Sequence, residues 1–145
     1  MKVETSRGVV TDTGFWIALF DKMDNHHLEA IKIINRIEQT QILFPWPIFY
    51  EVLRTRFVRN RIWVDGFSKT MRSLGIVRFD DTPYREDALQ QTLEWARTGR
   101  RHISLVDMVV RYVLSDTKIR ITRFITFNDK DFLDICKRRK IPINL

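Results

Sequence analysis

With 145 residues and 44% hydrophobic content, the chain has the length of one ordinary domain and can bury a core without disulfide or metal staples, so residues 1–145 are expected to form a single domain. Twenty-five Lys and Arg against eighteen Asp and Glu give a formal charge of +7, which draws polyanions such as nucleic acid more than neutral small molecules. One cysteine, Cys136, excludes an internal disulfide and fits a reducing cytoplasm, and no apolar run nears the roughly 20 residues of a membrane span, so neither secretion nor membrane insertion is expected.

Gly8-Val9-Val10-Thr11 reads as a short buried strand, with Asp12-Thr13-Gly14 supplying turn and cap chemistry before Phe15 to Phe20. From His26 or His27 to Glu38, the spacing of Ala30, Ile33, Ile34 and Ile37 predicts an amphipathic helix. Ile42-Leu43-Phe44 makes a second strand. Pro45 and Pro47 then open a helix expected to run to about Asn60, its apolar side built from Phe49, Val52, Leu53 and Phe57. Asp65 is the expected cap of a helix through Leu74, ended by Gly75, and Ile76 to Phe79 follows as a strand. Thr82-Pro83 opens a helix whose Leu89, Leu93 and Ala96 share a face and which stops at Gly99. Ser104 to about Asp116 is apolar on nearly every side, the pattern of a centrally buried helix. Arg123 to Phe127 is strand-like, Asp129 to Arg139 helical, and Ile141 to Leu145 could add an edge strand. Strands alternating with helices predict an α/β fold: a three-layer α/β/α sandwich around a mainly parallel sheet.

Carboxylates recur in apolar settings along this pattern. Asp12 and Asp129 follow predicted strands, which places them at the carboxyl edge where such sheets form sites, while Glu51 and Asp107 come from helices that would lean over it. Each acid also has an ordinary structural use: Asp12 as a helix cap, Glu51 as a partner of Arg54, Asp107 as a capping-box acid with Arg111 one turn on. Together they argue for a site, because crowded carboxylates must take up a proton or hold a hard cation such as Mg²⁺ or Mn²⁺. Competing chemistries lack their residues. Three histidines and one cysteine assemble no zinc set of the usual spacing, and neither a glycine-rich phosphate loop nor a Gly-x-Ser-x-Gly elbow is present. The Asp80-Asp81 pair brings a receiver-like phosphoacceptor to mind but follows a middle strand.

Val9-Val10-Thr11-Asp12-Thr13-Gly14-Phe15-Trp16, Pro47-Ile48-Phe49-Tyr50-Glu51-Val52, Ile103-Ser104-Leu105-Val106-Asp107 and Ile125-Thr126-Phe127-Asn128-Asp129-Lys130-Asp131-Phe132 resemble, in order, the four motifs of the PIN-domain ribonucleases, most closely their VapC-type toxin branch. The resemblance implies a Mg²⁺- or Mn²⁺-dependent endoribonuclease with Asp12, Glu51, Asp107 and Asp129 as the acidic quartet, and with Asp12, Asp107 and Asp129 as metal ligands. In the fourth motif Asn128 stands where the family usually has an acid; Asp129 is the preferred fourth member, with Asn128 and Asp131 as alternative ligands. Thr13 and Thr126 are hydroxyls placed to orient the acids. Arg54 and Arg100, near segments that border Glu51 and Asp107, are the expected RNA contacts. The branch further implies an antitoxin partner and a homodimer. The competing readings are a free-standing RNA-processing nuclease and a non-catalytic PIN-like RNA-binding or scaffold domain.

Overall fold

The structure, a computed structural model, describes residues 7–144. Residues 1–6 and Leu145, the last residue of the expected edge strand, lie outside the described residues. The elements run β1 (Arg7–Thr11), α1 (Thr13–Phe20), α2 (His27–Ile37), β2 (Gln41–Pro45), α3 (Trp46–Val52), α4 (Thr55–Val58), α5 (Arg61–Ser73), β3 (Gly75–Phe79), α6 (Arg85–Thr98), α7 (Leu105–Ser115), β4 (Arg120–Ile125) and α8 (Leu133–Arg139). Short 3-10 turns at Thr82–Tyr84 and Asp129–Asp131 precede α6 and α8. As expected, the sheet is parallel and flanked by helices, in the order β3-β2-β1-β4.

That order follows from burial. Val9 and Val10 of β1, Ile42, Leu43 and Phe44 of β2, and Phe124 and Ile125 of β4 are all buried, so these strands need cover on both faces. β3 carries exposed Gly75 and Arg78 and sits at one edge. At the other edge, Phe124 N–H donates to the Pro142 carbonyl and Asn144 N–H to the Phe124 carbonyl, at 2.9 and 2.8 Å. The expected terminal strand is thereby reduced to a single parallel bridge between Phe124 and Ile143, because Lys140 and Asn144 adopt positive φ and bracket the extended run. The bridge still covers the edge of β4.

Four expectations are corrected. The helix entering at Pro45 does not reach Asn60: Leu53 leaves helical geometry, and α4 turns back so that Phe57 packs on Phe20, Trp63 and Phe67, with ring centroids 6.0, 5.5 and 5.8 Å apart. The cap of α5 is Asn60, whose Oδ1 accepts from Trp63 N–H at 3.1 Å; Asp65 lies a turn inside the helix. The Leu89–Leu93–Ala96 face of α6 points outward, and the side chain that α6 buries is Ala88. β4 ends at Ile125, so Thr126 and Phe127 belong to the loop beyond it. Ser104 does cap the largely buried α7, accepting from Asp107 N–H at 3.1 Å, and Gly99 ends α6 with φ of 72°.

Gly8 allows the close approach of β1 to β2, since a Cβ there would stand 2.3 Å from the Gln41 carbonyl oxygen. Gly14, in the first turn of α1, has nothing within 4 Å of the same position. Gly8→Ala is expected to cost about 1–3 kcal/mol through strand displacement. Gly14→Ala should be neutral or stabilising by up to about 1 kcal/mol. Urea denaturation of the two variants checks the contrast, and equal midpoints would contradict it.

Candidate active site

In the order β3-β2-β1-β4 the chain moves outward from β1 on one side and then returns to its other side with β4, so the topological switch point falls between β1 and β4. Asp12 follows β1 there. It is 5% exposed; its Oδ1 accepts from Thr13 N–H at 2.8 Å and caps α1. Oδ2 accepts from the Thr126 hydroxyl at 2.9 Å, across the gap from the end of β4. Thr126 is itself fixed by Asn144, whose side chain both accepts from Thr126 N–H and donates to its carbonyl at 2.9 Å.

Asp107 stands in the first turn of α7, half-buried, and Glu51 in the last turn of α3, the helix that packs against α7. Burial raises the carboxyl of Asp12, and the charges of Glu51 and Asp131 add to that effect against the Thr13 and Thr126 hydrogen bonds. Asp107 is pushed up to about 7, first by burial and then by Asp12, Glu51 and Asp131. The sequence-based set of Asp12, Glu51 and Asp107 thus converges electrostatically.

Asp129 is not among the charges that act on Asp12 and Asp107. It is exposed at the start of the 3-10 turn, and the further acid acting on Asp12 and Asp107 is Asp131, two residues on and half-buried. Asn128 is not a substitute acid but a brace. Its N–H donates to Thr126 Oγ1 at 3.0 Å and its Nδ2 to Asp131 Oδ2 at 2.7 Å, giving a continuous chain Asp12–Thr126–Asn128–Asp131.

Arg111 departs from expectation too. Rather than pairing with Asp107, Arg111, itself 5% exposed, donates to the Asp131 carbonyl at 2.7 Å and bidentately to Asp134 at 2.8 and 2.8 Å. This pairing holds Asp134 well below the usual carboxylate range and ties α7 to the turn that carries Asp131. Spacing on one helix could not reveal a partner that arrives from α8. At the rim, the His26 ring stacks on Phe127 at 4.3 Å. Of the expected RNA contacts, Arg54 is exposed at the break between α3 and α4, and Arg100 lies against Trp95 beyond the end of α6.

Among the described residues no three acidic, histidine or cysteine side chains close into a finished metal site. The donor set nevertheless fits a hard divalent cation. Its donors are carboxylate oxygens, those of Asp12 and Asp107 raised by burial and by neighbouring acids, and the adjacent Thr13 hydroxyl is buried without a hydrogen-bond partner. Mg²⁺ commonly binds through one or two carboxylates while keeping part of its water shell, so a closed protein cage is not required.

No protein-family model and no curated protein sequence matches the chain. Among solved structures it is similar to VapC20 of Mycobacterium tuberculosis, a sarcin-ricin loop cleaving toxin, with a TM-score of 0.64 and 20% identity over 87% of this chain and 94% of that one. The fold is therefore PIN-like.

Two outcomes follow from this geometry. Asp107 has an ordinary pKa of 3.8 and a folded value of about 7, so folding favours its protonated form; without metal its contribution to stability is highest below pH 3.8 and is lost as pH rises through about 7. The melting temperature of metal-free protein should decline over that window, and Asp107→Asn should flatten the decline; an unchanged slope contradicts the shift. In calorimetric Mn²⁺ titrations, Asp131→Asn should weaken binding more than Asp129→Asn, the reverse of the order expected from sequence; if Asp129→Asn has the larger effect, the fourth position returns to Asp129.

Proposed function

We propose that this protein is a Mg²⁺- or Mn²⁺-dependent endoribonuclease that acts as the toxin of a toxin–antitoxin pair, the described residues working as one nuclease domain. The observation that carries the reading is the convergence of Asp12, Glu51, Asp107 and Asp131 at the switch point, with Asp107 pushed up to about 7. Such a cluster lowers its free energy by meeting positive charge, and the sites of PIN-like ribonucleases meet it with a divalent ion.

Asp12, Asp107 and Asp131 would hold the ion, which when bound supplies Lewis acidity toward a phosphodiester oxygen and an activated water. Asp12 is held by Thr126 and by Thr13 N–H, so its orientation is set before substrate arrives. Asn128 and Arg111 fix Asp131 from both sides, one by its carboxylate and the other by its carbonyl. Glu51 is half-buried and, among the described residues, makes no ion pair, which leaves it available to hold the attacking water or accept its proton. Hydrolysis of this kind leaves a 5′ phosphate and does not use the 2′-hydroxyl.

RNA as substrate is supported by the charge of +7 and by the fold shared with a toxin that cleaves the sarcin-ricin loop, which makes that loop the first substrate to test. An antitoxin and a second copy of the chain are the proposed protein partners. What supports them is exposed apolar surface along Trp46, Tyr50, Leu53 and Val58, and along Leu89, Leu93 and Leu105. The buried thiol of Cys136 is compatible with the reducing cytoplasm in which such a pair would act. A non-catalytic RNA-binding role is the second reading, favoured by the lack of a closed metal cluster among the described residues.

One experiment decides between them. Purified protein incubated with RNA and Mg²⁺ or Mn²⁺ should generate 5′-phosphorylated products, and chelation should stop the reaction. Asp12→Asn and Asp107→Asn should each lower the rate by about two orders of magnitude or more while remaining folded. Thr126→Val should cost about 10- to 100-fold. RNA binding with no metal-dependent cleavage would replace the nuclease with the binding role.

A further inference from the structure

Behind the turn that carries Asp131, α6, α7 and α8 enclose an open pocket of about 390 Å³ lined in part by Trp95, Arg100, Arg101, Arg111, Asp134 and Arg138. The guanidinium carbons of Arg100, Arg101 and Arg111 lie 5.0, 5.5 and 5.2 Å from the Trp95 ring centroid, so one indole gathers three cations. Asp134 is the pocket's carboxylate, and both its oxygens are taken by Arg111. Arg101 reaches Asp134 at 3.5 Å and the Lys130 carbonyl at 3.4 Å. Arg100 and Arg138 form no ion pair among the described residues. Four guanidinium groups against one carboxylate leave the pocket strongly positive, and its walls concentrate that field.

We propose that this pocket is a second phosphate subsite, which takes a backbone phosphodiester of the RNA at a distance from the bond that is cut. It deepens the nuclease reading and rests on it for the identity of the strand. Trp95 is not a base platform, because the guanidinium groups already crowd its ring; its role is to hold them in place. Planar forks of this kind suit phosphate oxygens bidentately. The pocket also shares a wall with the acid site: Arg111 donates to the Asp131 carbonyl and Arg101 to that of Lys130, so a strand crossing the 129–131 turn leaves the acids and enters the arginines. That continuity favours RNA over an acidic protein segment.

The test uses the full chain carrying Asp107→Asn, so that RNA stays intact, and follows binding of a labelled single-stranded RNA from low to moderate salt. Adding Arg100→Ala and Arg138→Ala together, both at exposed positions, should weaken binding about tenfold at low salt and flatten the log–log salt slope by about 1.4, roughly 0.7 for each lost contact. Lys at both positions should restore the slope. Equal melting temperatures exclude misfolding as the cause. An unchanged slope overturns the subsite, and Mg²⁺-dependent cleavage by the unsubstituted protein would show that the nuclease reading survives its failure. Conversely, a flattened slope without cleavage keeps the subsite and removes the nuclease. If a polyglutamate peptide binds and the double substitution abolishes its binding but not that of RNA, the pocket belongs to an acidic protein segment and the proposal fails.

Discussion

The hydrogen bond from the Thr126 hydroxyl to Asp12, 2.9 Å long and spanning 114 residues of sequence, is the contact on which the site depends. Parallel pairing of β1 with β4 brings the two strand ends side by side, with Thr11 in register with Ile125 and Asp12 N–H donating to the Ile125 carbonyl at 3.0 Å. The next residue on each strand then faces the other across the switch point. A buried carboxylate is costly unless hydrogen-bonded, and Asp12 receives two such bonds, one from its own helix and one from the loop that follows β4. The sheet order thus decides where an acid can be buried at all.

That fixed acid is one of the charges that act on Asp107. Asp107 is only half-buried, yet it is pushed further than burial alone would take it because Asp12, Glu51 and Asp131 face it. Part of the opposing charge lies just behind the site. Arg111 crosses from α7 to the turn and to Asp134 without neutralising Asp107, so the acids remain uncompensated on one side of the 129–131 turn while arginines accumulate on the other. On the proposed reading a phosphodiester chain would use both, because bare acids repel it: a cation in front and arginines behind.

Much of this was legible in the sequence because it is local. The strands show as short apolar runs, Asp12 and Ser104 cap helices as their positions require, and the αβ alternation gives the parallel sheet. What was not legible depends on contacts between distant segments. The break after Val52 carries no Pro or Gly to mark it; it is imposed by the aromatic packing of Phe57. Asp129 and Asp131 differ in direction through the backbone of a 3-10 turn, with Asn128 at φ −123° and ψ 58°, which residue spacing does not encode. Arg111 reads as a partner of Asp107 one turn away until α8 supplies Asp134. The outward face of α6 likewise keeps a helical period while burying only Ala88.

The central claim is that the fold gathers carboxylates whose repulsion a divalent cation relieves. Carbon-13 NMR titration of the aspartate carboxyls, assigned through Asp107→Asn, measures this directly. The account predicts that Asp107 titrates near 7 in metal-free protein and that Mg²⁺ moves its midpoint down. An Asp107 that titrates at an ordinary carboxylate value and does not respond to Mg²⁺ would contradict it.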